Sequence, residues 1–156
     1  MSMKILVVCL GNICRSPLAE GILKKKLSSD FKVDSAGTID LHQGELPDHR
    51  AIAIGKNHDV NISDQRSRPV TDQDFDEFDL ILCMDQSVYQ DVSKMAKTDS
   101  QRRKISLFMD AAGLGKDENV PDPYWGDMED FENVYQMLDH ASEQLKHKLH
   151  TSVANR

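Results

Sequence analysis

Four short apolar runs punctuate a chain that is otherwise polar, and stretches of helical periodicity lie between them. Lys4 to Leu10 contains Ile5, Leu6, Val7 and Val8 in succession, the pattern of a strand with both faces covered. Phe31 to Ala36, ended by Gly37, reads as a second strand, Asp79 to Met84 as a third, and Lys104 to Phe108 as a fourth. Pro17 to Leu27 places Leu18, Ile22 and Leu27 on one side of a helix whose last turn carries Lys24, Lys25 and Lys26 as a solvated end. Asp48 to about His58 is helical with Ala51, Ile52 and Ile54, and Ser87 to about Ala96 is a further helix. Thr71 to Asp74 marks a capped short turn. From Phe131 the positions Val134, Leu138, Ala141, Leu145 and Leu149 keep helical spacing, the strongest such signal here, with His140, His147 and His150 expected at its surface.

Strands that alternate with helices imply right-handed β-α-β units: an α/β fold with a four-stranded parallel sheet and helices on both faces. The expectation is one domain over 1–156, with His150 to Arg156 as a loose tail. Such sheets bind ligands beyond the carboxyl ends of their strands, where Cys9 and Asp85 fall.

Charge and cysteine usage narrow the function. With 19 basic against 26 acidic residues the net charge is −7, which argues against a nucleic-acid partner. The first apolar run is too short for a membrane span or a signal segment, so a soluble, cytoplasmic protein is expected, monomeric or weakly dimeric. Cys9, Cys14 and Cys83 have neither zinc-site nor disulfide-framework spacing, which predicts reduced thiols and neither metal nor cofactor.

The chemistry concentrates in Cys9-Leu10-Gly11-Asn12-Ile13-Cys14-Arg15-Ser16, between the first strand and the first helix. Cysteine attacks only as its thiolate, so the anion needs stabilising donors. Loop amides, the positive end of the following helix and the Arg15 guanidinium supply them, and the same donors suit a phosphate. Five residues between Cys9 and Arg15 let the chain curl with its N–H groups inward, while Arg15 offers a planar fork to two oxygens. Gly11 permits close approach or positive φ, and Asn12 tolerates the left-handed region. Ser16 could cap the helix or donate to the sulfur, and Pro17 suits a first helical position. No Gly-Lys-Ser/Thr follows, so this is not a nucleotide P-loop.

The run Val8 to Pro17 resembles the phosphate loop of the low-molecular-weight protein tyrosine phosphatases, and Asp122-Pro123-Tyr124 resembles that family's general-acid loop. Asp34 to Thr38, Phe78 to Asp85 and Asp130 to Tyr135 extend the likeness over nearly the whole chain. The resemblance implies a protein-tyrosine-phosphate phosphohydrolase with Cys9 as nucleophile, Arg15 as charge stabiliser and Asp122 as general acid and base. It implies a substrate pocket of Leu10, Gly11, Asn12, Ile13, Cys14 and Ser16, walled by Tyr124 and Trp125. The substrate would be a phosphotyrosine protein or an aryl phosphate. Asp85 would orient Arg15, and Ser35 would tie down the loop.

Some positions depart from the family pattern. Relatives often place an aromatic near Leu41 and His42, and a His that supports the loop asparagine before an Ala-Arg-Gln run; this chain reads Ser63 to Arg68 there, with no His and one extra residue, and Gln65 is the candidate substitute in supporting Asn12. Cys14 could pair with Cys9 on oxidation, or simply fill space beneath the loop. Arsenate reductases use a similar loop with two further cysteines, but no third follows Cys83. Phosphoarginine phosphatases carry threonine at the position of Ile13, and a non-catalytic phosphate-binding module could dispense with Cys9 and Asp122.

Overall fold

A computed structural model describes residues 2–154, side chains of 152–154 excepted. The elements in order are β1 (Met3–Cys9), α1 (Arg15–Lys26), β2 (Phe31–Gly37), α2 (His49–Asn57), α3 (Asp74–Glu77), β3 (Leu80–Cys83), α4 (Gln86–Met95), α5 (Asp99–Arg102), β4 (Ile105–Leu107), α6 (Phe108–Ala111) and α7 (Met128–Ala154). The strands form one parallel sheet in the order β2-β1-β3-β4, as expected for β-α-β units.

Central β1 shows why both faces must be covered. Ile5, Val7 and Cys9 pack into a core with α1, α2 and α7, whereas Leu6 and Val8 pack into a second core with Phe75, Phe78, Val88 and Val92 on the other face. The apolar stripe of α7, from Phe131 to Leu149, is buried throughout. Among the described residues no helix is long and apolar enough to cross a membrane, and no cluster of three or more metal-ligating side chains exists.

Boundaries moved where the sequence gives weak signals. Helix α1 starts at Arg15 rather than Pro17, because Pro17 lacks only an N–H that the first turn leaves unpaired anyway. The expected fourth strand stops at Leu107, since Phe108 opens α6. The loose tail expected from His150 is instead helical through Ala154, anchored by buried Leu149 and by the His150 ring 5.3 Å from that of Phe31. Residues 155–156 lie outside the described residues. Lys26 is not a free solvated end: it reaches α7, 2.9 Å from Glu143 and 3.3 Å from Asp139.

Candidate active site

The loop between β1 and α1 has its carbonyls turned outward and its amides inward. Thr38 N–H donates to Cys9 O (3.1 Å), Ile39 N–H to Leu10 O (3.2 Å), Asp48 N–H to Ile13 O (2.8 Å) and Leu18 N–H to Cys14 O (3.2 Å). The Ser67 hydroxyl donates to Gly11 O at 3.0 Å. Among the described residues the N–H groups of Gly11, Ile13, Cys14, Arg15 and Ser16 have no protein acceptor, so they remain available to an anion in the loop.

Cys9 lies at the floor, almost fully buried. Its sulfur accepts the Asn12 N–H at 3.3 Å and lies 3.0 Å from the Ser16 hydroxyl. Asn12 Nδ2 donates to that hydroxyl oxygen at 2.8 Å, which leaves the Ser16 proton for the sulfur. Of the two roles open to Ser16, the structure supports the second, because the helix N-cap is Cys14 and has no side-chain cap.

Asn12 carries the positive φ of the loop, at 57°. Gly11 serves close approach instead, since a Cβ there would stand 3.1 Å from the His42 ring. The left-handed backbone turns the Asn12 side chain away from the cleft and into the body. There Nδ2 also donates to Ser35 Oγ (3.0 Å), and Oδ1 accepts the Arg68 N–H (3.0 Å). Asn12 and Ser16 are thus supports beneath the loop, whereas Leu10, Gly11, Ile13 and Cys14 line the cleft. Gln65 does not support Asn12, because its amide donates to Pro17 O at 3.0 Å.

Arg15 is held on one edge and open on the other. Nη1 donates to Asp85 Oδ2 at 2.6 Å and to Val120 O at 3.0 Å. Among the described residues Nε and Nη2 have no hydrogen-bonded acceptor, and this is the pair a phosphate would engage side-on. Asp85 also caps α4 by accepting the Val88 N–H at 2.8 Å, so β3 and α4 fix the carboxylate that fixes Arg15. Burial alone would lower Arg15, but the charge on Cys9 together with Asp85 and Asp122 holds its guanidinium above the ordinary value.

Asp122 closes the opposite side. Its Oδ2 lies 3.7 Å from Arg15 Nη2, and its Oδ1 accepts the Tyr124 N–H at 3.1 Å. With Tyr124 and Trp125 it faces Ile39, Leu41 and His42 across a cleft of about 320 Å³. Tyr124 and Trp125 meet edge to face, centroids 4.9 Å apart, and Trp125 is 91% exposed. The facing wall carries Leu41, beside a His42 bonded to Glu45.

Three cysteines have three environments. Cys14 is buried in the loop, where desolvation and then the charge of Asp48 push its thiol up. Cys83 lies in the core on the other face of the sheet, and burial pushes its thiol up as well. All three are free.

Several supporting residues carry no signal in the sequence. Glu20, buried, accepts the Ser35 hydroxyl at 2.7 Å and is paired with Lys24 at 2.6 Å. Arg68 binds Asp34 and the buried Asp74. Arg50 donates to the carbonyls of Tyr124 and Gly126. Such charged residues look like solvated surface until the fold brings up Ser35 for Glu20, Asp34 for Arg68, and Tyr124 and Gly126 for Arg50.

Comparison with known proteins agrees with this geometry. A family model described as low molecular weight phosphotyrosine protein phosphatase matches residues 4–155. The enzyme of that name from Sus scrofa is 38% identical over 138 residues, covering 85% of this chain and 86% of that protein. The Homo sapiens protein is 37% identical over 152 residues, covering 94% and 95% respectively. A crystal structure of a protein tyrosine phosphatase from Entamoeba histolytica, with Hepes in the active site, is similar at a TM-score of 0.90 and 38% identity, covering 97% of this chain and 99% of that one. This chain therefore belongs to the low molecular weight phosphotyrosine protein phosphatases, cysteine-dependent hydrolases of phosphate esters.

Proposed function

We propose that Cys9, Arg15 and Asp122 carry out phosphotyrosine hydrolysis in two displacements. The Cys9 thiolate attacks phosphorus, the P–O bond to the phenol breaks, and Asp122 in its acid form gives its proton to the departing oxygen. Asp122, now a carboxylate, takes a proton from water, whose oxygen attacks the phosphocysteine. The P–S bond breaks, and the thiolate and inorganic phosphate are released. Inward amides and the open edge of Arg15 stabilise the equatorial oxygens in both steps. A single observation carries this reading: sulfur, inward amides, guanidinium and carboxylate converge on one cleft, with Asp122 3.7 Å from Arg15.

The apolar Ile13 lining the cleft and the Tyr124-Trp125 wall favour an aryl phosphate over a phosphoguanidine, which would call for polar partners at the leaving group. Arsenate reduction by a cysteine relay is disfavoured by Cys83, which is buried on the opposite face of the sheet from Cys9. The protein would act in the reducing cytoplasm as a monomer or weak dimer, a setting that three free thiols suit.

Kinetics on a series of aryl phosphates test the assignment. Cys9→Ser should abolish turnover, and Asp122→Ala should slow the reaction by about 10²–10⁴-fold, most for the poorest leaving groups. Full activity in Cys9→Ser overturns the mechanism, and an unchanged leaving-group dependence in Asp122→Ala overturns the acid.

The same reading includes reversible oxidation. Peroxide would convert the Cys9 thiolate to a sulfenic acid, and the Cys14 thiol would condense with it, forming an S–S bond and releasing water. Cys14 lies in the same loop, but its buried thiol is held protonated, so the condensation should be slow at neutral pH. Peroxide treatment should then give a mass lower by two hydrogens and an inactivation that dithiothreitol reverses. An irreversible loss leaves Cys14 as packing beneath the loop.

A further inference from the structure

The acid stands on a segment that, apart from the Arg15–Asp122 ion pair and the packing of Pro123 and Tyr124, has few hydrogen bonds to the rest of the fold. Its first part is moored: Val120 N–H donates to Met84 O at 2.7 Å, and Asp110 accepts the N–H groups of Asp117 and Glu118. Among the described residues, the only hydrogen bonds joining residues 121–126 to the rest of the fold come from Arg50, whose Nη2 donates to Tyr124 O (2.9 Å) and Nη1 to Gly126 O (3.0 Å).

Arg50 is itself oriented. Nε donates to Asp48 Oδ1 and Nη2 to Asp48 Oδ2, both at 3.0 Å. The guanidinium carbon lies 4.5 Å from the Phe131 ring centroid and 5.6 Å from that of Tyr124. Burial would push the Asp48 carboxyl up, but hydrogen bonds from Arg50 outweigh it and hold the group below the usual carboxylate range, so the pair stays charged. The Asp48 N–H meanwhile donates to Ile13 O of the phosphate loop at 2.8 Å. One continuous path thus runs from the loop that holds the nucleophile to the loop that holds the acid.

We propose that Arg50 is a positioning residue that sets Asp122 relative to Cys9 by clamping the carbonyls of Tyr124 and Gly126 to the start of α2. The role rests on the acid assignment made above. A planar fork suits it, because two carbonyls two residues apart are bridged by two nitrogens of one rigid group while a carboxylate fixes the remaining edge. A lysine would keep the charge and most of the packing on Phe131 but could not span both carbonyls.

A double-mutant cycle separates positioning from simple structural support. On phenyl phosphate, a poor leaving group, Arg50→Ala should lower kcat by about 10–100-fold, Arg50→Lys by less, with KM and inhibition by inorganic phosphate within about two-fold of wild type. In an Asp122→Ala background either Arg50 substitution should cost less than about two-fold more, because the group it positions is gone. Equal losses in both backgrounds, weakened phosphate inhibition, or unchanged kcat in both Arg50 variants overturn the role of Arg50 while leaving the acid in place. An Asp122→Ala enzyme with an intact leaving-group step overturns the acid and this role together. The lysine variant keeps the cycle readable if alanine costs the fold.

Discussion

The two loops that meet over the cleft are built on opposite principles. In the phosphate loop, Cys9, Asn12, Arg15 and Ser16 are all buried, and the outward carbonyls and the Asn12 side chain are tied to β2, α2 and the segment at Ser67 and Arg68. In the acid segment, Asp122 and Trp125 are exposed, and among the described residues its hydrogen bonds to the rest of the fold all come from one arginine, Arg50. The contrast follows from what each must do. Stabilising charge on an anion demands donors that do not reorganise, because dipoles fixed before reaction cost nothing when charge develops. A carboxylate that donates a proton in one step and removes one in the next must instead admit substrate and then water, so it gains from a lightly held segment.

Asn12→Ala should break the rigid side of this comparison most severely. It deletes two donated hydrogen bonds and one accepted one, leaves Ser35 and the Arg68 N–H short of a partner in a buried place, and puts alanine at a φ of 57°. A loss of about 2–4 kcal/mol is expected, read as a lower denaturant midpoint. The loop would loosen around sulfur and phosphate alike, so kcat/KM should fall by about 10²-fold. Asn12→Gly relieves the backbone and none of the hydrogen bonds, and should recover only part of the stability. Wild-type stability and activity in Asn12→Ala would mean that the loop holds its shape by backbone bonds alone.

The same contrast explains what could be read from the chain. The phosphate loop was legible because nucleophile, glycine, asparagine and arginine occupy one contiguous run after an apolar strand, where local geometry does most of the work. The sheet was legible too, since buried parallel strands are continuous apolar runs. Asp122 was found through family likeness, because an aspartate between prolines is otherwise a turn residue. Glu20, Arg50 and Arg68 were not legible, since Ser35, Tyr124 and Asp34, the partners that give each its role, are brought close only by the fold. Arg50 and Tyr124, for example, lie 74 residues apart in the sequence. Helices α3, α5 and α6 span four residues each, too few for a period to show. The Gln65 expectation failed because nearness in sequence to the missing His is not reach: its amide meets the Pro17 carbonyl instead.

On the lightly held side, Trp125 offers the mildest and most discriminating test. Its ring is 91% exposed and touches Tyr124 only edge to face, so little packing is lost when it goes. If it serves as a wall for the substrate ring, Trp125→Ala should raise KM for aryl phosphates about two- to five-fold, a fraction of one aromatic contact, with kcat and the unfolding midpoint unchanged. KM for a small alkyl phosphate, which has no ring to stack, should not move. A drop in kcat instead would show that Trp125 helps hold Asp122 in place. The acid segment would then be stiffer than its few hydrogen bonds imply, and the contrast with the phosphate loop would narrow accordingly.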